Sequence, residues 1–76
     1  MAKELERQAR DAAEKALPEG WHIGGVIYDP DARHWTVVAW LPGHPEAVRG
    51  VGETEAVALL DLALGLWAYR DAHRHQ

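Results

Sequence analysis

The sequence predicts an α+β fold of order α-β-β-β-α: a three-stranded antiparallel sheet with two helices packed on one face. Three observations lead there. Residues 2–17 are rich in Ala, Glu, Lys, Arg and Gln, good helix formers, with small apolar residues at helical spacing. Residues 21–41 and 47–51 carry β-branched and aromatic residues, punctuated by Pro, Gly and Asp. Residues 55–72 form a second helical run that is apolar around most of its circumference. A chain of 76 residues has room for one hydrophobic core, so 1–76 reads as a single domain.

In the first helix, 2–17, Leu5, Ala9, Ala12 and Ala16 fall at steps of four, three and four, which is one stripe. Glu6–Arg10, Arg10–Glu14 and Asp11–Lys15 are opposite charges one turn apart. A stripe of small residues lets this helix lie close to a neighbour. Pro18 and Gly20 end it. The first strand covers 21–28, the second 34–41. Asp29 to Arg33 form the turn between them, with Pro30 fixing φ and Asp able to bond its own backbone. A five-residue loop pairs Tyr28 with His34 and Ile27 with Trp35. One face then carries Trp21, Ile23, Ile27, Trp35, Val37, Ala39 and Leu41, the expected core side. The other carries His22, Val26, Tyr28, His34, Thr36, Val38 and Trp40. Pro42 to Pro45 are a loop. A short third strand, 47–51, is weakened by Gly50 and followed by Gly52. Thr54 is the expected N-cap of the last helix, 55–72, with Glu53 and Glu55 placed well for its dipole. The polar tail, 73–76, is expected to fray.

That last helix carries two apolar stripes where a surface helix normally has one. Val57, Leu60, Leu64 and Trp67 make the first; Leu59, Leu62, Leu66 and Tyr69 make the second. Only Asp61 is charged between residues 56 and 69. The sheet can cover one side of such a helix and the alanine-striped helix part of the other; either these two account for the whole helix, or, as expected here, an exposed strip remains to close a homodimer or hold a partner protein. Leu59, Leu62, Leu66 and Tyr69 are the expected contact residues. Tyr28 and Trp40 on the outer sheet face join them, because Tyr and Trp are favoured at interface hot spots.

Composition narrows the chemistry. There are 8 basic and 12 acidic residues, a net charge of −4, which argues against phosphate-driven binding to nucleic acid. Cysteine and serine are absent, so the two commonest nucleophiles and any disulfide are missing. Asp71, His73 and His75 lie close in sequence, but on a helix residues two apart face different ways. His22, His34 and His44 would meet only if the 42–45 loop folded back. Gly24-Gly25 is followed by no helix and is no phosphate loop. No catalytic, cofactor-binding or metal-binding residue is assigned. Met1 to Arg7 is charged and lacks an apolar core, so no signal peptide is read there. The longest apolar stretch is fourteen residues, short of a membrane span. A cytoplasmic protein is expected.

From Trp35 to Tyr69 the chain resembles the HicB-type antitoxin domain. A strand, Trp35-Thr36-Val37-Val38-Ala39, leads to Leu41-Pro42-Gly43. After a short strand, Gly50-Val51-Gly52-Glu53-Thr54-Glu55-Ala56 opens an apolar helix. The family spaces its Thr two residues before Glu-Ala, whereas here Glu55-Ala56 follows Thr54 directly. It also continues into a further strand after the helix, and this sequence ends at Gln76. The resemblance implies a dimer-forming protein binder, antitoxin-like, with no catalytic residue. The α-β-β-β-α order is also similar to the double-stranded-RNA-binding domain, which implies a nucleic-acid-binding module as the alternative. That family's lysine cluster corresponds here to the acidic Glu53-Thr54-Glu55. In size and charge alone the chain is similar to small phage-encoded inhibitors, an inhibitor-like reading.

Overall fold

The computed structural model describes residues 2–73 and places six elements in chain order: α1 (Ala2–Ala16), β1 (His22–Ile23), β2 (Ile27–Asp29), β3 (His34–Trp40), β4 (Ala47–Gly52) and α2 (Glu55–Ala72). It is an α+β fold. All strand pairs are antiparallel and β3 is central. β4 runs along one edge of β3, while β1 and β2 share the other as two pieces of one broken strand. The expected three ribbons are therefore present, the first divided in two.

The division has a local cause. Ile23 pairs with Ala39, and Ile27 pairs with Thr36. Three residues, Gly24, Gly25 and Val26, thus face two, Val37 and Val38. This is a β-bulge, and the Gly24 N–H still donates to the Val38 carbonyl at 2.9 Å. The expected register holds on the β1 side of the bulge and slips by one beyond it. Tyr28 pairs with Trp35 rather than His34, and Asp29 closes the hairpin opposite His34. The loop is four residues, not five. Asp29 Oδ1 accepts from the N–H groups of Asp31 (3.0 Å) and Ala32 (3.3 Å), and Arg33 takes the left-handed conformation at φ 56°. A one-residue slip reverses side-chain facing. Ile27, expected in the core, is 70% exposed, and Val26, expected outside, packs against the core.

α2 lies over β4 and β3, and α1 packs against α2. The contact with β4 is backbone on backbone. A Cβ at Gly50 would collide with the Ala58 carbonyl oxygen and lie 2.5 Å from the Leu62 nitrogen. One at Gly52 would lie 2.6 Å from the Ala58 nitrogen. Gly65 of α2 gives the same room to Val48. On the other side, Ala9, Ala13 and Ala16 of α1 are buried, with Ala12 half-buried. This stripe is rotated from the expected one: Leu5 is exposed and Ala13 takes a central place. Between these small surfaces lie the largest fully buried side chains, Leu59, Leu62, Leu66 and Val37. Each buried Leu contributes about 1.5–3 kcal/mol.

Both ends of α2 and the C-terminus of α1 have defined partners. Thr54 Oγ1 accepts from the Val57 N–H at 3.1 Å, as the N-cap expectation requires. Arg70 Nη1 reaches the Lys15 and Ala16 carbonyls at 3.5 and 3.4 Å, setting a cation at the C-terminus of α1. Pro18 to Trp21 form a turn closed by the Trp21 N–H and the Pro18 carbonyl (3.1 Å), with Gly20 at φ 85°. His73 caps α2; the rest of the tail expected to fray lies outside the described residues.

Gly50→Ala is expected to destabilise the fold by about 1–3 kcal/mol through forced separation of helix and strand. Gly25→Ala, whose added Cβ meets nothing within 4 Å, is expected to leave stability near wild type. Urea unfolding of both variants checks the contrast.

Candidate interaction surface

The two stripes of α2 meet different fates. Leu59, Leu62 and Leu66 are fully buried within the chain, and Tyr69 is half-buried against Trp21 with ring centroids 4.9 Å apart. These four were expected to remain open, yet the sheet and α1 cover them. The exposed stripe is the other one. Val57, Leu60, Leu64 and Trp67 are 48%, 43%, 69% and 49% exposed. The reason is angular. Gly50, Gly52 and Val48 draw in the side of α2 that carries Ala58, Leu62 and Gly65. The alanines of α1 close on the neighbouring side. Residues 60, 64 and 67 lie away from both, and Val57 stands at the margin, its side chain against Gly52 and still half exposed.

Polar groups frame the stripe. On one flank the Asp61 carboxylate accepts from the Val51 N–H at 2.9 Å. That donor sits on the open edge of β4, so the bond occupies a group that could otherwise pair with another strand. At the C-terminal end the Arg70 guanidinium lies over the Trp67 ring, 4.7 Å from its centroid. At the N-terminal end stand Glu53 and Glu55. The Glu55 carboxyl is raised above the ordinary glutamate value, first because Glu6 shares a hydrogen bond with it, then by desolvation and by the charge of Glu6. Leu5, Glu6, Trp35 and residues 53–56 line a cleft there. At the far end of α2 the Tyr69 hydroxyl is raised as well, by burial first and then by the Glu46 carboxylate. The His73 ring stacks on Tyr69 at 4.0 Å.

The outer sheet face is a second apolar surface. Ile27, Thr36, Val38 and Trp40 line a shallow groove with Arg49 at its side. Trp40 is exposed there beside its cross-strand neighbour His22 (centroids 5.9 Å). Tyr28, expected on this face, borders the groove, but its ring turns to Trp35. The slipped register sets it opposite Trp35, edge to ring at 5.2 Å. Ile27 takes its place, a residue that sequence reasoning assigned to the core.

The arginines beyond α1 do not gather. Arg33 is in the hairpin turn, Arg49 on the outer sheet face, and Arg70 is committed to α1 and Trp67. Arg74 lies outside the described residues. Among the described residues no group of three His, Asp or Glu side chains is placed to hold a metal ion, and no helix is long and apolar enough to cross a membrane. His75 of the C-terminal trio lies outside them too. No family model, curated protein or solved structure matches this chain.

Truncation separates the stripes. Leu62→Ala is expected to cost about 2–5 kcal/mol. Leu64→Ala should stay within about 0.5 kcal/mol at concentrations where the chain is monomeric. Thermal unfolding of dilute protein reads both. The carboxyl pair gives a pH signature. A raised carboxyl pKa means that the folded state binds its proton more tightly than the unfolded state. Ionisation of Glu55 therefore costs stability at neutral pH, and the cost disappears as pH falls through its raised value. Glu6→Gln is expected to raise the melting temperature at neutral pH. The gain should shrink to nothing below the ordinary glutamate range, and a gain equal at both pH values would contradict the pairing.

Proposed function

We propose that this chain is a small, non-enzymatic protein-interaction module that works through the outer stripe of α2. The observation that carries the reading is the exposure of Val57, Leu60, Leu64 and Trp67 on a helix whose other apolar stripe, Leu59, Leu62 and Leu66, is fully buried. Four large apolar side chains in one row form a patch of the size that marks interaction sites on small proteins. Trp67 and Arg70 stand together at one end, and Trp and Arg are both residue types enriched at binding hot spots. The chain carries a net charge of −4 and its arginines beyond α1 are dispersed, which suits a protein partner better than a phosphate backbone. Residues 35–69 resemble the HicB-type antitoxin domain, and that supports an antitoxin-like or inhibitor-like mode: occupying another protein rather than acting on a substrate.

Site-specific photocrosslinking in the producing cells tests this. A photoreactive residue at position 64 is expected to crosslink to protein, and one at Asp31 in the hairpin turn is not. Equal yields from both positions, or none from 64, would overturn the reading. So would retardation of duplex RNA by micromolar protein at low salt.

A further inference from the structure

The stripe has a property that says what covers it. Val57, Leu60, Leu64 and Trp67 are separated by three, four and three residues, a spacing that reads the same from either end. We infer that the occupant is a second copy of this chain, with the two α2 helices antiparallel about a two-fold axis level with Leu62. This rests on the reading of the stripe as an interaction surface and names its partner.

A row spaced alike from both ends can lie antiparallel on a second copy of itself, so that each residue meets its counterpart in the way a two-fold contact requires, i on j and j on i. In this register Leu60 stands level with Leu64 of the second copy, and Val57 with Trp67. The large ring at one end of the stripe thus meets the smallest side chain at the other, twice. Parallel helices would instead set Trp67 beside Trp67 and Val57 beside Val57.

Charge follows the same register. The N-terminal end of α2 is acidic, with Glu53 and Glu55, and Arg70 stands at the C-terminal end. Antiparallel pairing sets Arg70 level with Thr54 of the second copy, between those two carboxylates. Asp71 falls level with Glu53 at the outer rim, where water screens the pair. The helix dipoles are opposed, which favours this arrangement over the parallel one. The open edge of β4 is a poorer contact, because the Val51 N–H is already held by Asp61.

The four side chains expose on the order of 400 Å² per copy, within the usual range for a functional patch. A symmetric pair buries about twice that from the stripe, which places it among weak, reversible interfaces rather than permanent ones. Self-association should therefore depend on concentration.

The chain has no cysteine, so introduced thiols report without background. Sedimentation of the wild-type chain comes first: dimer is expected at millimolar protein and monomer on dilution, and Leu64→Glu should remain a folded monomer throughout. Crosslinking then fixes direction. Ala68 is exposed and adjoins Trp67. Val57→Cys and Ala68→Cys, oxidised together, should give a covalent dimer, and either alone only the background level. A wild-type monomer at millimolar protein overturns the inference. So does a dimer in which Val57→Cys bonds to itself, or one that crosslinks in neither arrangement. If the wild type is monomeric while position 64 still captures another protein in cells, self-pairing fails and the interaction-module reading stands.

Discussion

Where β4 passes beneath α2, no side chain separates the two backbones. Gly50 and Gly52 leave the strand bare, and Ala58 and the Leu62 backbone settle directly on it. The rest of the fold depends on this approach. It sets the rotation of α2 about its own axis, and that rotation decides which leucines become core. With the helix so close, Leu59, Leu62 and Leu66 fill the space toward β3 and α1. A bulkier strand would lift the helix and leave that space unfilled. The alanines of α1 apply the same principle from the other side. A chain of this size cannot bury much surface, and it compensates by bringing backbones close around a few large side chains.

Much of this architecture is legible in the sequence. The order of elements, the helix bounds within a residue, the Thr54 cap and the Pro18–Gly20 stop all follow from local chemistry. The hairpin register beyond residue 23 does not. Gly24-Gly25 signals a bulge as one option, but nothing local says that a residue is actually inserted. A single inserted residue exchanges the faces of Ile27 and Tyr28. The choice between the two stripes of α2 is equally hidden. Both are apolar, both have helical spacing, and periodicity cannot tell which one the rest of the chain will cover. The distinguishing signal lies in β4. Glycines at 50 and 52 read as weak strand residues, and only the tertiary contact shows them as a seat for the helix.

The same constraint explains the open apolar row. α2 is apolar around most of its circumference, and two neighbours made of small residues can close only half of it. The other half is bounded by Asp61, which holds the edge of β4, by Arg70, which spans Trp67 and the end of α1, and by Glu55, whose carboxyl is raised beside Glu6. Fixed groups around an open apolar row make a preorganised surface, with little side-chain freedom left to lose on binding. The outer sheet face, with Ile27, Val38 and Trp40, is apolar as well, yet it lacks such a frame.

The central claim is that α2 turns one leucine stripe inward and leaves the other open. Hydroxyl-radical footprinting of the dilute, monomeric chain reads this directly, residue by residue along one helix. Leu60, Leu64 and Trp67 are expected to be modified readily, and Leu59, Leu62 and Leu66 to be protected. Modification of Leu59, Leu62 and Leu66 with protection of the other row would contradict it, because α2 would then be rotated on the sheet and β4 could not be its seat.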